Sequence, residues 1–350
     1  MRFAWITALT LTLLAAFWCA APAAADDSLS IIAGAPPNVF DLLELVAEGA
    51  GFYKAEHLNI TKNWTTNAPT AAQLVATGKA DVASLSVEPL LQGYDKGLRM
   101  QVFLSRQPRY SYVMAVLDSS PIRTLADFKG KVLGENSVGS AAEPAAESML
   151  AGVGLKKTDY SFVTIGAGAQ ALEAFVDKRV DGLAFPFSAL AQYEVAAHVK
   201  VRIFQHPILS DIGNVGYAAL PAIIQTKADV LRRFSRAIVE ASLFIRTNPA
   251  AAARFYLQLQ EGGGKYTPQQ LADMTHYITL IQDYLPAADP ADKRIGYLSP
   301  QGIEVYSKLL TDFGITSQVV PGSAIVTDQF IAFANDFDHQ AVIALAKNMH

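Results

Sequence analysis

Gly139-Ser140-Ala141-Ala142-Glu143 is the segment whose residue types best suit ligand chemistry. A serine followed three residues later by glutamate is a capping box at a helix start. The free amides and the helix dipole favour negative charge there. The plainer reading is that the box only caps its helix. Ser137, Gly139, Ser140 and Ala141 are therefore candidate ligand contacts, while the Glu143 carboxylate opposes an anion and keeps a neutral or zwitterionic ligand open.

In open α/β sheets, ligands gather at the carboxyl ends of strands. Pro36-Pro37-Asn38-Val39-Phe40 follows a first apolar run; Asn38 offers in-plane hydrogen bonds and Phe40 either an apolar ligand face or a core side chain. Ser84, Ser86 and Glu88 follow a third strand in the same way. Phe185-Pro186-Phe187 closes a later strand, where Pro186 and Phe187 suit stacking on a flat solute and Phe185 suits the core. Trp64 ends a second strand and either faces a ligand or packs half-exposed.

Several chemistries lack their residues. Cys19 is the only cysteine, and His57, His198, His206, His276, His339 and His350 show no metal-ligand spacing. There is no Gly-x-Ser-x-Gly elbow and no P-loop; Gly262-Gly263-Gly264 reads as a flexible loop. The expectation is a chain without catalytic residues, metal or cofactor.

Arg2, the uncharged run Phe3 to Ala21 and the small residues Ala23-Ala24-Ala25 form a secretory leader, with cleavage expected after Ala25. A membrane anchor is the alternative by length. Lipidation at Cys19 is disfavoured by the bulky Phe17-Trp18 before it. The chain holds 28 Lys and Arg against 32 Asp and Glu, and losing Arg2 with the leader takes its net charge from −4 to −5. No basic stripe appears, which disfavours nucleic acid. After residue 25 no apolar run is long enough to span a membrane.

The elements that must position these residues alternate. Strands are expected at Ser30 to Ala33, Leu58 to Trp64, Asp81 to Leu85, Gln101 to Ser105, Tyr112 to Val116, Lys131 to Leu133, Tyr160 to Ile165 and Asp181 to Phe185. Helices are expected at Phe40 to Ala50, Thr70 to Thr77, from Pro89, at Ala141 to Gly152 and at Ala169 to Val176. Such alternation predicts mostly parallel sheets with helices on their faces. Beyond Gln225 strand signals fade, and helices are expected at Ala228 to Thr247, Ala250 to Leu259, Pro268 to Tyr284, Pro300 to Phe313 and Asp328 to Ala346. The stretch Leu74 to Ala83 is echoed by Ala174 to Leu183, each reading as helix, basic turn, aspartate and strand, with Asp81 and Asp181 as turn-forming acids.

Gly51-Phe52-Tyr53-Lys54-Ala55-Glu56-His57-Leu58-Asn59-Ile60, Gly78 to Ala83, Leu125 to Lys131, Gly139-Ser140 and Ala171 to Gly182 occur in an order that resembles a known family. It is the nitrate/taurine/alkanesulfonate type of periplasmic solute-binding protein, which includes binding proteins for thiamine pyrimidine precursors. The resemblance covers roughly residues 30 to 250; His57 stands where the family has Gly, and Asp41 where it often has Ala or Pro.

The resemblance implies the two-lobed periplasmic-binding-protein fold of type II, two α/β lobes joined by two crossing strands with a helical C-terminal return. Residues 26–107 plus about 206–350 would form lobe one and about 113–205 lobe two, with hinges at Ser105 to Tyr112 and Gln205 to Gly216. Arg106, Arg109, Tyr110 and Tyr112 would then lie at the hinge, either pairing with a ligand carboxylate or sulfonate or bracing the linker.

The implied function is the binding component of an ABC importer. It would capture a sulfonate, carboxylate or pyrimidine-like solute between its lobes and deliver it to a permease and its ATPase. A periplasmic monomer is expected. The alternatives are a pyrimidine-synthase-like enzyme, whose cysteine-rich motif is absent here, and a periplasmic ligand-sensor partner.

Overall fold

The computed structural model describes residues 26–35, 37–136, 142–260, 265–287 and 294–349. The leader, and with it every expectation about residues 1–25, lies outside them. Ten strands follow in chain order: β1 (Asp27–Ala33), β2 (Leu58–Trp64), β3 (Val82–Ser86), β4 (Gln101–Gln107), β5 (Tyr112–Leu117), β6 (Val132–Glu135), β7 (Ser161–Thr164), β8 (Gly182–Pro186), β9 (Val201–Phe204) and β10 (Val215–Ala219).

The strands form two five-stranded sheets, ordered β2-β1-β3-β10-β4 and β7-β6-β8-β5-β9. The chain passes between the sheets twice, from β4 to β5 and from β9 to β10. This is the expected two-lobed α/β fold. In each sheet three strands are parallel: β2, β1 and β3 in one, β7, β6 and β8 in the other. The remaining pairings, β10 with β3 and β4, and β5 with β8 and β9, are antiparallel. The sheets are therefore mixed rather than mostly parallel, because the strands next to each crossing enter from the other lobe without a helical crossover.

Sequence patterns explain the local elements. Val82, Ala83 and Leu85 of β3 are all buried, as befits a central strand covered on both faces. The helix Ala228–Thr247 turns Leu231, Phe234, Ile238, Ala241 and Ile245 into the first lobe at helical spacing. There Phe234 meets Tyr217 edge-on at 5.1 Å and Tyr53 in a stack at 6.1 Å. The expected long helix Asp328 to Ala346 is instead two, Ile331–Ala334 and His339–Asn348. Asp338 starts the second by accepting from the amides of Gln340 and Ala341.

The echo between lobes has a shared geometry. Gly78 and Lys178 both hold left-handed backbone, at φ 70° and 60°. Three residues after each, an aspartate ties its own strand to the next. Asp81 Oδ2 accepts from the Ser30 amide at 2.9 Å, and Asp181 Oδ2 from the Val132 amide at 2.9 Å. Both acids are turn-formers, as expected.

The second crossing packs tightly. A Cβ on Gly213 would lie 2.3 Å from the Gln107 carbonyl oxygen, and one on Gly216 would lie 2.4 Å from Val102 Cγ1. Only glycine lets β10 sit this close to β4.

Candidate functional site

The carboxyl ends of β1, β2 and β3 carry Asn38, Trp64, Ser86 and Glu88, and those of β6 and β8 carry Glu135, Asn136, Pro186 and Phe187. Between the lobes lies a crevice of about 400 Å³. Glu88, Tyr110 and Tyr306 line it from one side, and Glu143, Ala145 and Glu147 from the other.

Glu88 opens the helix Glu88–Tyr94 and is buried. Its Oε1 accepts from the Tyr306 hydroxyl at 2.6 Å and from Asn214 Nδ2 at 3.0 Å. Asn214 sits on the second crossing, and its Oδ1 accepts from Ser111 Oγ, on the first, at 3.0 Å. One amide thus clamps both crossings to the acid beside the crevice. Glu88 Oε2 is buried and has no hydrogen-bond partner.

In lobe two, Glu135 ends β6 and is also buried. Thr164 Oγ1 donates to its Oε1 at 3.2 Å, and its Oε2 has no partner. Burial, reinforced by the Glu143 charge, raises the Glu135 carboxyl above its ordinary pKa, and the threonine bond only partly offsets this. Asn136 Oδ1, one residue on, is likewise buried without a partner. Lys157, the one cation among the described residues that line the crevice, pairs with Glu147 at 2.7 Å.

A second acidic centre lies beneath Asn38 and Trp64. Asp41 and Glu44 are buried beside Lys62 and Arg106. Lys62 Nζ lies 2.7 Å from Asp41 and 2.8 Å from Glu44, and Arg106 Nη2 lies 3.0 Å from Asp41. Trp64 Nε1 and the Asn38 amide also donate to Asp41. Two acids meet two bases. Burial alone would raise the Asp41 pKa, but Arg106 and Lys62 outweigh it and lower the value. Asp41, which departs from the family pattern, is thus the hub of an ion network inside lobe one.

The geometry corrects several expectations. Phe40 packs in the lobe-one core, because its turn directs it inward while Asn38 caps the turn with Oδ1 on the Phe40 amide at 3.0 Å. Ser84 is sealed within central strand β3. Arg106 is committed to Asp41 and Glu44 and so is not turned toward a ligand. Phe187 is half-buried, with one ring face stacked on Tyr284 at 4.1 Å. Asn38, Ser86 and Pro186 are half-buried at strand ends, and Trp64 is exposed at the end of β2. Arg109 lines a separate pocket beside Asp211, Arg246 and Asp283. Ser137, Gly139, Ser140 and Ala141 lie outside the described residues.

The sequence reading missed Asn214, Tyr306 and Glu135. They meet the site only through folding; Glu88 and Tyr306 stand 218 residues apart. It also passed over His206, whose Nε2 lies 2.6 Å from Ser148 Oγ. This is not a nucleophile with its base. His206 Nδ1 accepts from the Ile208 and Leu209 amides, both at 3.1 Å, so the neutral ring carries its proton on Nε2 and donates it to Ser148. Ser148 in turn donates to the Ala145 carbonyl at 3.0 Å. Burial lowers the imidazole pKa to about 4, which keeps it neutral. Among the described residues no group of three or more His, Cys, Asp or Glu is placed to hold a metal ion.

No curated protein matches the chain. Among solved structures, the periplasmic aliphatic sulphonate binding protein SsuA of Escherichia coli superposes with a TM-score of 0.64 at 18% identity, over 86% of this chain and 92% of that one. The alkanesulfonate-binding protein SsuA of Xanthomonas axonopodis pv. citri, bound to MOPS, gives 0.62 at 18% identity over 86% and 98%. A DszB mutant in complex with biphenyl-2-sulfinic acid gives 0.57 at 13% identity over 88% and 99%. These likenesses establish the periplasmic-binding-protein fold. The NMT1/THI5-like family matches residues 42–252, more than half of the sequence, and the chain belongs to that family.

Proposed function

We propose that this chain is the solute-binding component of an ABC importer, exported by its leader and active in the periplasm. The observation that carries this reading is the crevice shared by both lobes, with Glu88 and Tyr306 on one wall and Glu143 and Glu147 on the other. Its volume, about 400 Å³, lies in the range of small-molecule sites. A solute touching both walls binds the closed form better than the open one and so favours closure. Closure presents both lobes at once to a permease. In this reading the lobes comprise residues 26–107 plus about 206–350, and about 113–205. Asn38, Trp64, Ser86 and Pro186 flank the solute at the strand ends, and Ser137, Gly139, Ser140 and Ala141 approach it from lobe two. The Ser148–His206 pair, with its proton on the wrong nitrogen for base catalysis, supports a binding role over hydrolysis.

The test is a thermal-shift screen of residues 26–350 against sulfonates, carboxylates, amines and pyrimidines, followed by calorimetry. A solute at a hundred times its Kd adds about 2.7 kcal/mol of stability. A screen in which no class stabilises the protein, together with turnover of one of them, contradicts the reading.

A further inference from the structure

Hydrogen-bond donors and acceptors are unequally matched around the crevice. Glu88, which lines it, has a buried acceptor, Oε2, without a partner, and so does Glu135 in the other lobe, whose carboxyl feels the charge of the crevice-lining Glu143. Glu88 and Glu135 are each more than nine-tenths buried. A buried acceptor without a donor costs free energy, more so when it carries charge. Glu44 also has unpartnered oxygens, but Lys62 and Arg106 stand beside it, whereas among the described residues no cation faces Glu88.

The charges agree with the hydrogen bonds. Glu88 is satisfied on Oε1 by neutral donors only, Tyr306 and Asn214. Glu143 adds a further carboxylate across from it, and Lys157 is already spent on Glu147. The two cations nearest the other strand ends, Lys62 and Arg106, are held by Asp41 and Glu44. Residues 137–141, Ser-Val-Gly-Ser-Ala, add no charged side chain by sequence. Tyr110, Leu309, Leu310 and Phe313 supply an apolar lining beside the acids.

We propose that the cleft recognises a cationic solute, a protonated amine carried on a small apolar body, with Glu88 of one lobe and Glu143 of the other as its acceptors. The inference rests on reading the crevice as a solute site, and it departs from the sulfonates held by the structural relatives. The ammonium donates to the unpartnered Glu88 Oε2 and to the Glu143 carboxylate, and its apolar body lies along Leu309, Leu310 and Phe313. Tyr rings beside an acid also suit a cation through their negative faces.

Calorimetry and thermal shift with three matched probes test it: 2-phenylethylammonium, 2-phenylethanol and 2-phenylethanesulfonate, each at millimolar concentrations. The ammonium should bind saturably, and more tightly than the alcohol by about tenfold or more, as charge-assisted hydrogen bonds require. The sulfonate should not bind. Glu88→Gln keeps an oxygen for Tyr306 and Asn214, so it folds, and it should weaken the ammonium by about ten- to hundredfold. Glu143→Gln, on a half-buried helical turn, should weaken it less. Sulfonate binding that Glu88→Gln leaves unchanged or strengthens overturns the cationic assignment and leaves the solute-binding reading standing. Failure of the ammonium to saturate, or equal affinity in wild type and Glu88→Gln, also overturns it.

Discussion

Lobe one buries two sets of acids near its strand ends, and they are completed in opposite ways. Asp41 and Glu44 face Lys62 and Arg106 across about one hydrogen-bond length, and the four charges cancel. Glu88 receives a tyrosine hydroxyl and an asparagine amide on one oxygen and nothing on the other. The first centre finds its countercharges within the fold, although both Glu44 oxygens meet them as ion pairs without a hydrogen bond and Arg106 Nε makes none. The second is left open, and it is the one that lines a crevice shared with the other lobe. Burial is common to both, so burial does not distinguish a binding group from a structural one. The distinction lies in whether the chain itself supplies the countercharge.

The sharpest way to break this comparison is to remove a countercharge from the closed centre. Arg106→Met should leave Asp41 and Glu44 with Lys62 alone and destabilise the fold by about 3–5 kcal/mol, read as a lower urea midpoint. Glu88→Gln should cost little stability, since it removes a charge that no cation balances. If the two variants lose equal stability, the two centres are not different in kind.

A smaller effect separates the closed centre from other buried groups by pH. His206 must be neutral where it sits, and burial lowers its pKa from 6.5 to about 4. Its folded value is depressed, so its contribution is present in full above pH 6.5 and is lost as pH falls from there toward about 4. Asp41, whose pKa is lowered from 3.8, loses its contribution only at pH below that value. Thermal melts across this range should therefore show a first decline that His206→Gln flattens, and a second, at lower pH, that it does not. Glu135 works in the opposite direction. Its pKa is raised from 4.5, so its burial is least costly at low pH and weighs on stability as the carboxyl ionises.

Much of this was legible in the sequence. The alternation of apolar runs fixed the α/β class, and the repeated turn before Asp81 and Asp181 marked the same position in each lobe, down to the backbone bond each acid accepts. Glu88 was visible because it follows a buried strand. Three features stayed hidden, for different reasons. β9 is four half-buried residues with Arg202 among them, so it carries no alternation to detect. Asn214 and Tyr306 reach Glu88 from 126 and 218 residues away, a distance no local pattern encodes. Phe40 looked equally suited to a ligand and to a core, and only the direction of its turn decides between them.

The central claim, that a solute is held between the lobes, is tested most directly by amide hydrogen exchange. Residues 26–350 would be labelled with and without a saturating solute from the screen. Slowed exchange is expected in two segments together, residues 86–92 of one lobe and 142–150 of the other, with little change in the helix Ala228–Thr247. Protection confined to one lobe, or centred away from both segments, would contradict a site shared across the crevice.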